Sequence, residues 1–160
     1  MLTERTIIEE VNELDSEEIK ALSTDPTVRK YLGGVRSEGT IPFILKEMLR
    51  SDDTSIYLTI RNRETHEFIG LVSLDPHHEG EDIEISYQLL PQWWRKGFGS
   101  EAVIEVLKYA FNELMLVKVV AETQSANHSS CRLLEKVGMT LGKKVIRFGE
   151  EQSIYFIHRH

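Results

Sequence analysis

Cysteine occurs once in this chain of 160 residues, at Cys131. A single thiol cannot close an intramolecular disulfide, and a cysteine-ligated zinc site is excluded with it. No apolar run is long enough to cross a bilayer. The opening residues Met1-Leu2-Thr3-Glu4-Arg5 are charged and carry no apolar signal core, so the expected location is the cytoplasm, away from membranes. Basic residues are in the minority: 19 Lys+Arg stand against 26 Asp+Glu, for a formal net charge of -7. A nucleic-acid partner would need clustered Lys and Arg to neutralise its phosphates, and this balance argues against one. The acidity suits a cationic substrate such as an amine. It also serves simply to keep a protein soluble. Repeats, low-complexity tracts and linker-like stretches are absent too, so residues 1–160 read as one domain.

What the sequence does hold is an alternation of strand and helix periods. Thr6 to Val11 reads as a strand. A helix follows from Asp15, with Glu18 completing a capping-box pattern, and Ser23-Thr24-Asp25-Pro26 breaks it. Gly33-Gly34 marks a loop. Ile41 to Arg50 reads as a helix with Thr40 as N-cap and Pro42 in its first turn. Ile56 to Arg61 and Phe68 to Asp75 form a hairpin pattern. Asp82 to Leu89 alternates, with Ile83, Ile85, Tyr87 and Leu89 on one face and Glu84, Ser86 and Gln88 on the other. A long helix from about Ser100 to Leu114 has one narrow polar stripe. Val117 to Glu122 is a buried strand, and Ser130 to Val137 a helix stopped by Gly138. Thr140 to Arg147 and Ser153 to His158 close the chain as a hairpin through Phe148-Gly149-Glu150-Glu151. The order β-α-α-β-β-β-α-β-α-β-β predicts an α/β (α+β) domain with a mixed, mostly antiparallel central sheet flanked by helices.

The stretch Arg95-Lys96-Gly97-Phe98-Gly99-Ser100 joins a strand to the long helix. There, free backbone N–H groups and the positive end of a helix can hold a phosphate. Gly97 and Gly99 carry no Cβ and would let the backbone approach an anion, with Arg95 and Lys96 adding positive charge. A lone G-x-G is also an ordinary turn before a buried helix.

From Glu84-Ile85-Ser86-Tyr87 through Trp94-Arg95-Lys96-Gly97-Phe98-Gly99-Ser100-Glu101-Ala102, the sequence resembles the cofactor motif of the GNAT superfamily of N-acetyltransferases. The general motif has Gln or Arg where this chain has Trp94, which looks like the RimJ/RimL-type branch. Asn127-His128-Ser129-Ser130-Cys131-Arg132-Leu133-Leu134-Glu135-Lys136-Val137-Gly138-Met139 and Ser23-Thr24-Asp25-Pro26-Thr27-Val28-Arg29-Lys30-Tyr31-Leu32 are similar to two further segments of that branch. Together these matches cover most of the chain in order. One departure is Glu9-Glu10, standing where Arg-Pro is usual.

The resemblance implies a GNAT-like domain that moves acetyl from acetyl-CoA directly to an amine. The acceptor is a protein N-terminal α-amine or a small amine such as an aminoglycoside, polyamine or amino acid. A non-catalytic CoA-binding module is the rival reading, and a homodimer is compatible with either. Glu84 is the candidate general base, because a carboxylate in a partly apolar cleft has a raised pKa. Its alternative is a solvated or salt-bridged strand glutamate. By resemblance, Ser130 protonates the leaving thiolate, although it also suits a helix cap. Tyr109 and Tyr155 are fallback acids. Asn127 would meet the pantetheine arm or a water, or serve as a cap. Leu89 and Leu90 would offer backbone groups to the pantetheine at a bulge. Cys131 reads as a small buried hydrophobe rather than a nucleophile. His77 and His78 read as loop residues without a third metal ligand in suitable spacing, and no metal is expected. Trp93 and Trp94 are expected to pack under the loop. Substrate choice is assigned to the segment Gly33 to Phe43 and the last hairpin.

Overall fold

The computed structural model describes residues 1–50, 52 and 54–160. Among the described residues, seven strands form one sheet: β1 (Thr6–Glu10), β2 (Ile56–Asn62), β3 (Phe68–Pro76), β4 (Ile83–Leu89), β5 (Lys118–Gln124), β6 (Thr140–Arg147) and β7 (Glu150–His158). The spatial order is β1-β2-β3-β4-β5-β7-β6. Every neighbouring pair is antiparallel except β4 and β5. Five α-helices among the same described residues accompany the sheet: α1 (Ser16–Thr24), α2 (Pro26–Arg29), α3 (Ile41–Met48), α4 (Phe98–Asn112) and α5 (His128–Lys136).

The two faces of the sheet carry separate cores. On one, Val103, Val106, Leu107 and Ala110 of α4 and Leu134 of α5 pack on Ile8, Leu58, Ile60, Val72, Leu74, Ile85 and Leu89. On the other, Ile19 and Leu22 of α1, with Ile44 and Leu45 of α3, pack on Val11, Phe68 and Leu71. This divides β4 as its alternation predicts. Ile85 and Leu89 face α4, while Glu84, Ser86 and Gln88 face the α1/α3 side.

Local chemistry explains where the elements differ from the sequence-based reading. The capping box forms one turn earlier than expected. Asn12 accepts from Leu14 N–H, and Asp15 accepts from Asn12 N–H, around a 3-10 turn at Glu13–Asp15. Asp15 makes no side-chain cap to α1; it binds Arg61 Nη2 at 2.7 Å. Asp25-Pro26 does end α1, but the Asp25 carboxylate then caps Thr27 and Val28 N–H and starts α2. Thr40 does not cap α3 with its side chain, which instead donates to Ser37 C=O at 2.7 Å. The final turn is shorter than expected. Phe148 and Gly149 alone make it, both with positive φ (56° and 78°), as a type I′ hairpin turn requires.

Candidate active site

Strands β4 and β5 pair only at Ile83–Val119 and Glu84–Val120. Beyond those residues they diverge, while β4 stays in register with β3 to Leu89 and β5 with β7 to Gln124. The result is a wedge-shaped cleft within the sheet. Glu84 reaches from β4 to the Glu122 N–H of β5, and Tyr87 reaches from β4 to Ser130 of α5.

Divergence leaves β5 amides without a β4 backbone partner, and Glu84 supplies a substitute. Its Oε2 accepts the Glu122 N–H at 3.1 Å. Burial is the main influence on this carboxyl and raises its pKa from 4.5 to about 7. The Glu122 amide and the neighbouring His77 pull it down, whereas the Asp75 and Glu122 carboxylates push it up. Asp75 stands directly opposite Glu84 in the β3–β4 register. Burial raises the pKa of Asp75 as well, against the hydrogen bond it accepts from Tyr57 Oη at 3.1 Å.

Beside Glu84 lies an ion-pair hub. The Glu122 carboxylate is 8% exposed. It accepts His77 Nε2 at 2.8 Å and Arg147 Nε and Nη2 at 3.0 and 3.1 Å. These bonds hold its pKa below the ordinary carboxylate value against the opposing effect of burial. Arg147 reaches Glu79 at 2.8 Å, so the β3–β4 loop, β5 and β6 are tied together. Glu79 N–H donates to His77 Nδ1, which leaves Nε2 to carry the hydrogen given to Glu122. His78 is a loop residue as expected, but its ring does not point away from His77. The ring centroids are 4.6 Å apart, and His78 Nε2 is 3.8 Å from Glu122. His77, His78 and Glu122 therefore converge, the third group coming from 45 residues away, where sequence spacing offered no third ligand. Arg147 shares the same carboxylate through Nε and Nη2.

At the mouth of the cleft, Gly97 caps α4 with φ 83°, a left-handed conformation that favours glycine. The first helical bond runs from Glu101 N–H to Gly97 C=O. The N–H groups of Phe98, Gly99 and Ser100 precede the ladder, where a helix has no acceptor of its own for them. That end is suited to an anion. Arg95 and Lys96 are exposed beside it. Arg5 braces the turn from behind: its Nη1 donates to Lys96 C=O at 2.9 Å, its Nε pairs with Glu101 at 2.9 Å, and its guanidinium lies 4.1 Å over the Phe98 ring. The two glycines do different jobs. A Cβ on Gly99 would meet Leu133 Cδ1 at 2.9 Å, so its bareness lets α5 pack on α4.

A family model for the acetyltransferase (GNAT) domain matches residues 5–140. The chain belongs to this family. It is an acetyl-CoA-dependent N-acetyltransferase. The uncharacterized N-acetyltransferase YoaA of Bacillus subtilis is 30% identical over 141 residues, spanning 85% of this chain and 80% of that protein. The GNAT-family acetyltransferase of Bacillus anthracis superposes with a TM-score of 0.87 at 23% identity, over 99% of this chain and 97% of the other. The spermidine N-acetyltransferase of Vibrio cholerae, solved with CoA and spermine, superposes at 0.84 and 16% identity, over 98% and 96%.

Several site residues of this acetyltransferase stand differently from the reading of its sequence. The helix cap is Asn127, whose Oδ1 accepts the Ser130 N–H at 3.2 Å; Ser130 sits inside α5 and does not cap it. The bulge at Leu89 and Leu90 is absent, since β4 keeps continuous register with β3. Leu90 N–H is committed to Ile69 C=O at 2.9 Å. Leu89 then points its N–H and C=O to the opposite edge, toward the cleft. The Trp94 indole already takes that carbonyl at 2.7 Å. Trp93 does pack beneath the loop, edge-on to Phe98 at 5.3 Å, whereas Trp94 is 39% exposed. Cys131 is half-buried, its Sγ 4.0 Å from Ser125 C=O. Tyr155 hydrogen-bonds Glu135 at 3.1 Å, and Tyr109 packs on the α4 side of the core. The hydroxyl the sequence reading passed over is Tyr87, which meets Ser130 Oγ at 2.7 Å across the cleft.

Proposed function

We propose that this acetyltransferase acts on α-amines, with the N-terminus of a protein or peptide as acceptor, and that Glu84 is the base that deprotonates it. The observation carrying the proposal is a carboxyl at the divergence of β4 and β5 whose pKa is raised to about 7. An α-ammonium group has a pKa of about 7.7–8.0 and a lysine-type amine about 10.4. Handing a proton to Glu84 is uphill by roughly 1 kcal/mol for the first and roughly 5 kcal/mol for the second, at 1.36 kcal/mol per pKa unit. The resemblance to the RimJ/RimL-type branch points the same way.

The remaining residues take the roles their positions support. Phe98, Gly99 and Ser100 direct N–H groups at the pyrophosphate, while Arg95 and Lys96 contribute positive charge. Leu89 offers its cleft-facing N–H to the pantetheine arm. Asn127 reaches that arm with Nδ2, its Oδ1 being engaged in the cap. Ser130 delivers a proton to the departing thiolate. Acetyl-CoA supplies the activated acetyl group. The chain contributes positioning of the two reactants, which is worth several orders of magnitude in rate, and removal of the amine proton.

Competition between a peptide with a free N-terminus and the same peptide with a blocked N-terminus and one lysine tests the acceptor. Spermidine serves as a third arm. CoA release should favour the free α-amine in kcat/KM by at least about a hundredfold, given the difference in proton-transfer cost. Preference for spermidine would establish a small polyamine acceptor instead. CoA binding without turnover on any of the three would leave a binding module.

A further inference from the structure

Tyr87 lies on the apolar face of β4, among Ile83, Ile85 and Leu89, where a polar hydroxyl needs a partner. Both oxygens it reaches belong to Ser130: Oγ at 2.7 Å and the backbone carbonyl at 3.4 Å. The shorter contact has the ordinary length of an O–H···O bond, while the longer one is at its limit. This bond crosses the gap where β4 has left β5, so it links one wall of the cleft to the first turn of α5. The helix does not depend on it, because Asn127 caps α5 and Leu134 buries its apolar side. Burial pushes the phenol up to about 12, which keeps it protonated and able to donate throughout the neutral range.

We infer that Tyr87 is a positioning residue for acetyl transfer, donating its hydroxyl hydrogen to Ser130 Oγ so that the serine hydrogen is aimed at the leaving sulfur. A serine hydroxyl has one hydrogen and two lone pairs. Once Tyr87 fills a lone pair, Ser130 can give its hydrogen only outward. The inference rests on Ser130 as the proton donor. In the step, the amine loses a proton to Glu84, the C–N bond forms, the C–S bond breaks and its electron pair leaves on sulfur. Ser130 passes its hydrogen to that sulfur and regains one from water, while Tyr87 keeps its own. Water also takes up the proton held on Glu84, so protons balance over the cycle.

The test is a double-mutant cycle with Tyr87→Phe, Ser130→Ala and the pair, in the full chain, reading kcat, the KM of a peptide amine and the Kd of CoA. Tyr87→Phe keeps the ring and removes only the hydroxyl. Its kcat should fall about tenfold, the worth of one hydrogen bond, with KM and the CoA Kd unchanged. In the Ser130→Ala background the same substitution should have no effect, because the group it orients is gone. An unchanged kcat for Tyr87→Phe alone would overturn the inference while leaving Ser130 in its role. Equal losses in both backgrounds would also overturn it, making Tyr87 a structural residue or the acid itself. A Ser130→Ala enzyme with full kcat would remove the premise, and the inference with it.

Discussion

Replacing Glu84 by glutamine should make the protein more stable at pH 8 than the wild type. The carboxyl is held at about 7 in the folded chain against 4.5 ordinarily. That gap corresponds to roughly 3 kcal/mol at 1.36 kcal/mol per pKa unit. Below about pH 4.5 the folded and unfolded chains both carry the proton, and ionisation costs nothing. Between 4.5 and about 7 the unfolded chain has released it while the folded chain still binds it, so stability falls as pH rises. Above 7 the loss is complete. Glutamine escapes it and keeps a carbonyl to accept the Glu122 N–H, although its own NH2 needs a new partner. A net gain of about 2 kcal/mol at pH 8 amounts to roughly 4–8 °C in Tm for a chain of this size. Thermal melts of both proteins at pH 4.5 and pH 8 measure it, since other titrating groups cancel in the difference. Tm differences that are equal at the two pH values would refute the burial argument for Glu84.

Three further outcomes follow from the geometry. Gly97→Ala places a Cβ on a left-handed residue and 3.1 Å from Arg5 Nη2; it should cost about 1–2 kcal/mol in urea unfolding and weaken CoA binding, and an unchanged midpoint would contradict it. Asn127→Ala removes the α5 cap and should cost about 1 kcal/mol by the same measurement. Arg147→Met takes the guanidinium away from the Glu122 carboxylate and should lower the urea-unfolding midpoint. Adding Glu122→Gln should recover part of that loss, and a purely additive pair would show that the two groups do not interact.

The sequence disclosed most of the fold because local rules and burial agreed. The alternation of Ile83, Ile85 and Leu89 identified β4 and put Glu84 on the correct face. Where two local signals competed, the reading slipped. Asp25-Pro26 looks like a stop, yet the same aspartate that follows one helix caps the next. Asn12 and Asp15 contend with Asp15 and Glu18 for one capping box, and the pull of Arg61 on Asp15, 46 residues away, is not a local signal. The turn into α4 was legible because its motif is contiguous, from Arg95 to Ser100. The Glu122 hub was not, because His77 and Arg147 lie 45 and 25 residues from it in sequence and meet only when β3, β5 and β6 assemble. Tyr87 left one usable trace: a tyrosine on the apolar face of a buried strand must satisfy its hydroxyl.

The pH dependence of kcat/KM for a peptide α-amine tests the central claim most directly, measured with wild type and Glu84→Gln at saturating acetyl-CoA. The wild-type profile should rise through an ionisation near pH 7 before the amine's own ionisation levels it. Glu84→Gln should lose that lower ionisation and fall about a hundredfold or more at pH 7, as expected for removal of a general base. A variant that keeps the wild-type profile and rate would contradict the account.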